Sequence, residues 1–181
     1  MECVLRERAP ERVHRETTLR YSIRAGRRSD LGPLEWFGEH RHLRLVEAGS
    51  WAQVEAGTVL FLVAEVHGFP AGQLKIALVH EEDVKADGSR SGYFYGLRVF
   101  GPFRRLGIGT ALIVRGEDLL RERGFARATI AVERGNVEAR ELYERLRYEA
   151  IRERHKNWSY VDPDGRTRRV DVDEVLLRKE L

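Results

Sequence analysis

The sequence predicts an α+β fold, a mixed sheet of about seven strands with helices on its faces. Three observations carry this. Short runs rich in β-branched and aromatic residues recur at Thr58–Val66, Gln73–Val79, Tyr93–Phe100 and Ala126–Val132. Two stretches of helical period, opened by Gly107-Ile108-Gly109 and by Asn136, each follow one of those runs. The chain closes on two β-rich segments around Asp162-Pro163-Asp164-Gly165, where Pro presets one turn dihedral and Gly supplies another.

In chain order, residues 1–17 are polar, carry Pro10 and show no period, so they are expected to form an arm, with a single domain over residues 18–181. Leu19, Tyr21 and Ile23 alternate with polar residues and predict the first strand. Ser29 and Asp30 are N-cap residue types, Pro33 suits a first helical turn, and Leu31, Leu34 and Phe37 predict a helical face reaching about His40. A second short helix is expected over Leu43–Val54, broken near Gly49. Thr58–Val66 and Gln73–Val79 then make a hairpin whose loop runs from His67 to Gly72, and Glu81–Ser91 is a polar loop around Asp87-Gly88. Tyr93–Phe100 is apolar on both faces, as a central strand is. Ile108, Leu112, Leu119 and Leu120 line one side of a helix that Gly124 stops. Ala126–Val132 is the next strand, and Asn136 caps a helix carrying Ala139, Leu142, Tyr143 and Leu146 on one face. Trp158–Val161 and Val170–Leu177 form the closing antiparallel hairpin.

Composition narrows the class. The chain has 181 residues, enough for a core, and a hydrophobic content of 42% that suits a globular protein. No apolar run approaches the roughly 20 residues of a membrane span. The N-terminus is charged and lacks an apolar signal core, and Cys3 is the only cysteine, so a reducing, cytoplasmic setting is expected. Charged residues make up 34%, yet the net charge is only +3. Arg and acids interleave, as along Arg121–His155, which reads as solvated helix faces laced with ion pairs. A nucleic-acid binder gathers its basic residues on one face, so that class is disfavoured. His40-x-His42 is the only close histidine pair, and no cysteine or acid cluster completes a metal site with it.

The chemistry concentrates around Arg104-Arg105-Leu106-Gly107-Ile108-Gly109. The order strand, glycine-rich turn, helix aims bare backbone N–H groups at an anion, and the two arginines add charge. A Walker loop would end in Gly-Lys-Ser/Thr, but Gly107 precedes Ile108; a dinucleotide fingerprint would place a third glycine where Leu112 stands. Glycines that merely permit a tight turn explain the motif equally well. Asn136 and Tyr143, two turns apart on one helix face, read either as cap and core residue or as the lining of a cofactor slot.

Together these motifs resemble the GNAT superfamily, the acetyl-CoA-dependent N-acetyltransferases. The chain supplies Leu97-Arg98-Val99, then Arg104-x-x-Gly107-x-Gly109, then Asn136-x-x-Ala139-x-x-Leu142-Tyr143, in the family's order. The resemblance implies a mixed, mostly antiparallel sheet of about seven strands flanked by about four helices, with acetyl-CoA as acyl donor. It implies that the backbone of Leu97, Arg98 and Val99 pairs with the pantetheine arm, and that the Val99 N–H polarises the acetyl carbonyl. It implies that Arg104, Arg105, Leu106, Gly107, Ile108, Gly109 and Thr110 hold the pyrophosphate, that Asn136 contacts the pantetheine region, and that Tyr143 protonates the departing thiolate. Two departures stand out: Gly101 precedes Pro102 in the bend, and Arg147-Tyr148 replaces the family's common Gly-Phe, which is expected to end the helix differently. The general base is open among Glu65, His67, His80, Tyr95 and Glu133. The acceptor implied is an amine, expected to be a small molecule, with a protein N-terminus or lysine as the alternative. A non-catalytic acyl-CoA-binding module is the rival from another class. The family's habit of pairing edge strands implies a homodimer as one option.

Overall fold

The structure, a computed structural model, describes residues 19–78 and 90–181. Seven strands form one sheet: β1 (Ser22–Ala25), β2 (Val59–Val66), β3 (Phe69–Ala77), β4 (Ser91–Val99), β5 (Arg127–Glu133), β6 (Glu149–Val161) and β7 (Thr167–Glu180). Their order is β1-β2-β3-β4-β5-β7-β6. β4 and β5 run parallel, joined through helix α2 (Ile108–Glu122), and the other neighbours are antiparallel. Helices α1 (Arg44–Glu55) and α3 (Val137–Arg145) complete the set of α-helices among the described residues. The arm expected over residues 1–17, and the loop around Asp87-Gly88, lie outside the described residues.

The main core lies between the sheet and α2 and α3. Leu74, Ile76, Phe94 and Ile130 meet Leu112, Ile113, Leu120, Tyr143 and Tyr148. Gly116 lets α2 lie close on the sheet: a Cβ there would stand 3.0 Å from Ile76 Cδ1 and from Phe94 Cζ. A smaller cluster on the opposite face joins Leu34 and Trp36 to Phe61 and Val63.

Four local expectations are corrected. The helix from Leu31 to about His40 is instead a chain of 3-10 turns at Arg28–Asp30, Pro33–Glu35 and Arg41–Leu43. Between the last two, Trp36, Phe37 and Gly38 all take positive φ, at 44°, 58° and 95°, and a helix cannot pass through three such residues. Phe37 is 90% exposed, not part of a buried face. Helix α1 runs unbroken through Gly49. The β2–β3 hairpin turns on His67 and Gly68 alone, with φ of 47° and 81°, so Phe69 to Gly72 belong to the strand. Strand β6 begins at Glu149, inside the charged stretch read as helix. It is an edge strand with both faces largely wet, so no apolar alternation marks it.

Helices α2 and α3 end alike. Phe125 N–H bonds Leu120 O at 3.0 Å and Gly124 N–H bonds Arg121 O at 2.9 Å; after α3, Tyr148 N–H bonds Tyr143 O at 3.0 Å and Arg147 N–H bonds Glu144 O at 2.9 Å. Both are Schellman caps. Gly124 sits at φ 72° and Arg147 at φ 67°, so replacing the common glycine by Arg has not changed how α3 ends. Tyr148 fills the following core position, and its hydroxyl donates to the buried Glu117 carboxylate at 3.1 Å. Because Arg147 is exposed and holds a left-handed conformation that only glycine adopts freely, Arg147→Gly is expected to stabilise the fold by about 1 kcal/mol and raise Tm by roughly 2–4 °C. Thermal and urea unfolding would check this; a fall in stability would show that the Arg147 side chain does more than tolerate its backbone.

Candidate active site

The parallel pair β4–β5 is short. It runs from Ser91↔Arg127 to Phe94↔Ile130, although β4 continues to Val99 and β5 to Glu133. Beyond Phe94 the two strands part. A bulge helps: pairing with β3 slips between Gln73 and Lys75, and Gly96 takes φ 62°. Gln73 Nε2 donates to Gly96 O at 3.2 Å and pins the bulge. Phe100 N–H donates to Ala71 O on β3 at 2.9 Å. Since N–H groups alternate along a strand, Val99 N–H faces the other way, into the gap.

The gap widens into a cleft of about 510 Å³. Of the residues singled out in the sequence, Leu97, Arg98, Val99, Arg104, Arg105, Gly107, Gly109, Thr110 and Asn136 line it. Three do not. Ile108 is 1% exposed and points into the core, Leu106 turns outward, and Tyr143 is 5% exposed beneath the wall that Ala139 and Leu142 form. Ile108 and Leu106 can therefore serve a ligand only through their backbone.

At the cleft's end, Arg105 (φ 63°) and Gly107 (φ 83°) take left-handed conformations that curl successive N–H groups inward. From Arg105 to Thr110 no N–H donates to a backbone carbonyl among the described residues; the first to do so is Ala111, to Gly107 O at 3.0 Å. These bare donors at the start of a 15-residue helix make an anion site. Arg104 Nε donates to Val99 O at 3.0 Å, and Arg105 pairs with Glu138 across the cleft mouth. Asn136 caps α3, its Oδ1 accepting from Ala139 N–H at 3.1 Å. What remains for a ligand is its amide N–H₂. Burial, and second the nearby Tyr93, push the Tyr143 hydroxyl up to about 12, so it stays an O–H donor at neutral pH.

A second cavity, of about 240 Å³, adjoins the cleft on the α1 side of the sheet. Among the described residues, only His40 and Arg98 line both. The left-handed run at Trp36–Gly38 reverses the chain and brings His40 there. Trp36 Nε1 donates to Pro70 O at 2.7 Å, His40 N–H donates to Glu35 O at 3.0 Å, and the two rings meet edge-on at 5.1 Å. His40 Nε2 is buried with no hydrogen-bond partner. Burial first, then the positive charge of Arg98, lowers its pKa below the ordinary 6.5, against the opposing pull of Glu39, so the ring is neutral at pH 7. The acids of this cavity are committed. Glu35 accepts from Arg44 Nε at 2.5 Å and Nη2 at 2.6 Å, and Glu47 pairs with Lys75 and with Arg98.

None of the described sequence candidates for a general base lines either cavity. Glu65 pairs with Arg24 at 2.8 Å, His67 is a hairpin turn residue, Glu133 is exposed, and burial pushes Tyr95 up to about 12. His80 lies outside the described residues. Sequence reasoning met His40 only as half of a histidine pair; its place at the junction depends on the positive-φ turn, which no periodicity announces.

Residues 27–148 match the model of the Acetyltransferase (GNAT) family. No curated protein matches the sequence. Among solved structures, Arabidopsis thaliana NAA60 in complex with acetyl-CoA is 19% identical over 90% of this chain and 99% of that one, with a TM-score of 0.68. Ribosomal-protein-alanine N-acetyltransferase from Brucella melitensis is 20% identical over 88% and 99%, at 0.65. The protein yncA of Salmonella typhimurium, with its cofactor acetyl-CoA, is 17% identical over 89% and 94%, at 0.64. At such identities the likeness is one of fold.

Proposed function

The chain belongs to the GNAT acetyltransferase family, and on that premise we propose that it moves an acetyl group from acetyl-CoA to the primary amine of a small molecule by direct attack. One observation carries the reading: a cleft built from a free strand edge and bare helix N–H groups meets a smaller cavity at His40 and Arg98.

Acetyl-CoA supplies the acetyl thioester. The N–H groups from Arg105 to Thr110, with the Arg104 and Arg105 guanidinium groups, hold the pyrophosphate. The gap-facing backbone of Leu97 and Val99 pairs with the pantetheine amides as an added strand would, and Asn136 donates its amide N–H to the same arm. The Val99 N–H holds the carbonyl oxygen as it gains charge. Tyr143 is the O–H donor to the departing sulfur in this reading, which requires the Ala139–Leu142 wall to part when the cofactor is seated, since the ring does not line the cleft. With a pKa of about 12, well above the ~8.5 of a thiol, it stabilises the thiolate through the hydrogen bond more than by surrendering the proton.

His40 accepts the proton of the amine. An Arg guanidinium cannot, and Glu35 and Glu47 are tied to cations. The cavity of about 240 Å³ suits a compact amine, which favours a small molecule over a protein surface. The single cysteine fits a reducing, cytoplasmic setting.

The test is release of CoA thiol with acetyl-CoA and a panel of small primary amines, run beside a short peptide with a free N-terminus. Sustained turnover, fastest on a small amine and yielding its acetylated mass, is expected. Faster turnover on the peptide would move the acceptor to proteins. Acetyl-CoA binding with no turnover on any amine would leave a non-catalytic binding module.

A further inference from the structure

The cavity beyond His40 is lined by two arginines and two glutamates, but one of those glutamates is shared with a third cation, Lys75. Arg98 extends from β4 toward α1 and is 16% exposed. Its Nη2 donates to Glu47 Oε1 at 2.5 Å, while Nε and Nη1 are buried with no hydrogen-bond partner. Glu47 is not Arg98's alone. It also binds Lys75, whose Nζ donates to Ser50 Oγ at 2.7 Å as well. One carboxylate thus serves two cations. Glu35, the other acid in the wall, is filled by both nitrogens of the Arg44 fork, and Glu39, whose charge also acts on Arg98 and His40, is 45% exposed to solvent.

Buried guanidinium N–H groups without an acceptor are rare in folded proteins, because each has given up water and received nothing. Arg98 itself lines the cavity in which an acetyl acceptor would sit, so a small turn of its side chain would present them there. An amine arriving as a bare ammonium would add a further positive charge beside Arg98 and Lys75. An amine that brings its own anion would not.

We propose that the acceptor is an amino-carboxylate, a compact molecule bearing a carboxylate near its primary amine, whose carboxylate accepts from the unpartnered N–H groups of Arg98 while its amine lies at His40. The proposal rests on the acetyltransferase reading and gives it a substrate class. One carboxylate oxygen takes the Arg98 N–H that the turned side chain presents, and the remaining donor is left to a bound water. Lying within the same cavity, the Arg98 charge also disfavours the ammonium form, which helps His40 draw off the proton. Arg98 is then a specificity residue: its side chain selects the acceptor, and its backbone stays part of the β4 edge.

The experiment uses the full chain with acetyl-CoA and compares proteinogenic L-amino acids with the amines that differ from each only by loss of the carboxylate. kcat/KM is read from CoA thiol release. The best amino acid is expected to exceed its decarboxylated partner by about 10²–10³-fold, and Arg98→Gln to reduce that ratio to within about threefold of unity. Acetyl-CoA binding is measured in parallel by calorimetry. If acetyl-CoA binds but the decarboxylated amines react as fast or faster, the amino-carboxylate proposal is overturned and the acetyltransferase reading stands. If acetyl-CoA binds and neither class reacts, the proposal is likewise overturned. If acetyl-CoA does not bind, the acetyltransferase reading itself fails.

Discussion

Replacing Tyr143 by Phe is expected to lower kcat by about 10²–10³-fold while changing acetyl-CoA affinity less than about threefold. The ring is 5% exposed and packs against Tyr148 at 6.3 Å between centroids, so Phe preserves the packing and removes only the hydroxyl. That hydroxyl is a donor throughout the accessible pH range, because burial holds it at about 12. A donor that meets a charge appearing only as the thioester breaks, the role proposed for this hydroxyl, stabilises the transition state without tightening the ground state, so the loss should fall on kcat. Steady-state kinetics with the best acceptor, paired with calorimetry, separates the two. A kcat within about threefold of wild type would make Tyr143 a core residue and nothing more.

His40→Gln is the second large effect, expected to lower kcat/KM by about 10²-fold near pH 7.5. Its signature is in the pH profile. His40 has a lowered pKa, so in the wild type it is deprotonated and able to accept a proton above the ordinary histidine range, and that ability is lost only as pH falls through its folded pKa, below 6.5. In the variant, only amine that is already neutral reacts. The deficit should therefore shrink steadily toward pH 10 as the amine deprotonates by itself. A constant deficit across pH would assign His40 a packing role against Trp36, with which it makes an edge-on contact at 5.1 Å.

The sheet was legible where apolar residues had one reason to be where they are. Val59–Val66 and the first half of Ser91–Val99 are buried, and their strands appear within two residues of expectation. The cleft proposed to hold the cofactor was legible too, because its walls are largely backbone, and glycines such as Gly107 advertise backbone exposure. The cavity proposed for the acceptor was hidden. His40 reaches the junction through Trp36, Phe37 and Gly38 in left-handed conformations, and two of those residues disfavour that region. Tertiary contacts, including the Trp36 hydrogen bond to Pro70 O, override local preference there. The Arg98 side chain looked like the variable middle of a strand motif; its partner Glu47 stands 51 residues earlier, a distance at which spacing carries no signal. Only the end of β6, Trp158–Val161, was foreseen; its earlier part, Glu149–Asn157, was missed because ion pairs, such as Arg154 with Glu174 at 3.0 Å, replace apolar alternation along it.

The most direct test of the central claim, that acetyl-CoA occupies the gap between β4 and β5 with its pyrophosphate on the start of α2, is calorimetric titration of acetyl-CoA into the wild type and into Gly109→Trp. Gly109 is the position of choice because its backbone is helical, unlike Gly107, and a Cβ there meets only ordinary contacts, 3.5 Å from Leu142 Cδ2 and 3.8 Å from Val99 Cγ2. A bulky side chain would fill the cleft without straining the turn. Micromolar, one-to-one binding to the wild type and at least about 100-fold weaker binding to Gly109→Trp is the predicted result. Equal affinity in both proteins would place the cofactor elsewhere, and no binding to the wild type would leave the glycine turn as a turn.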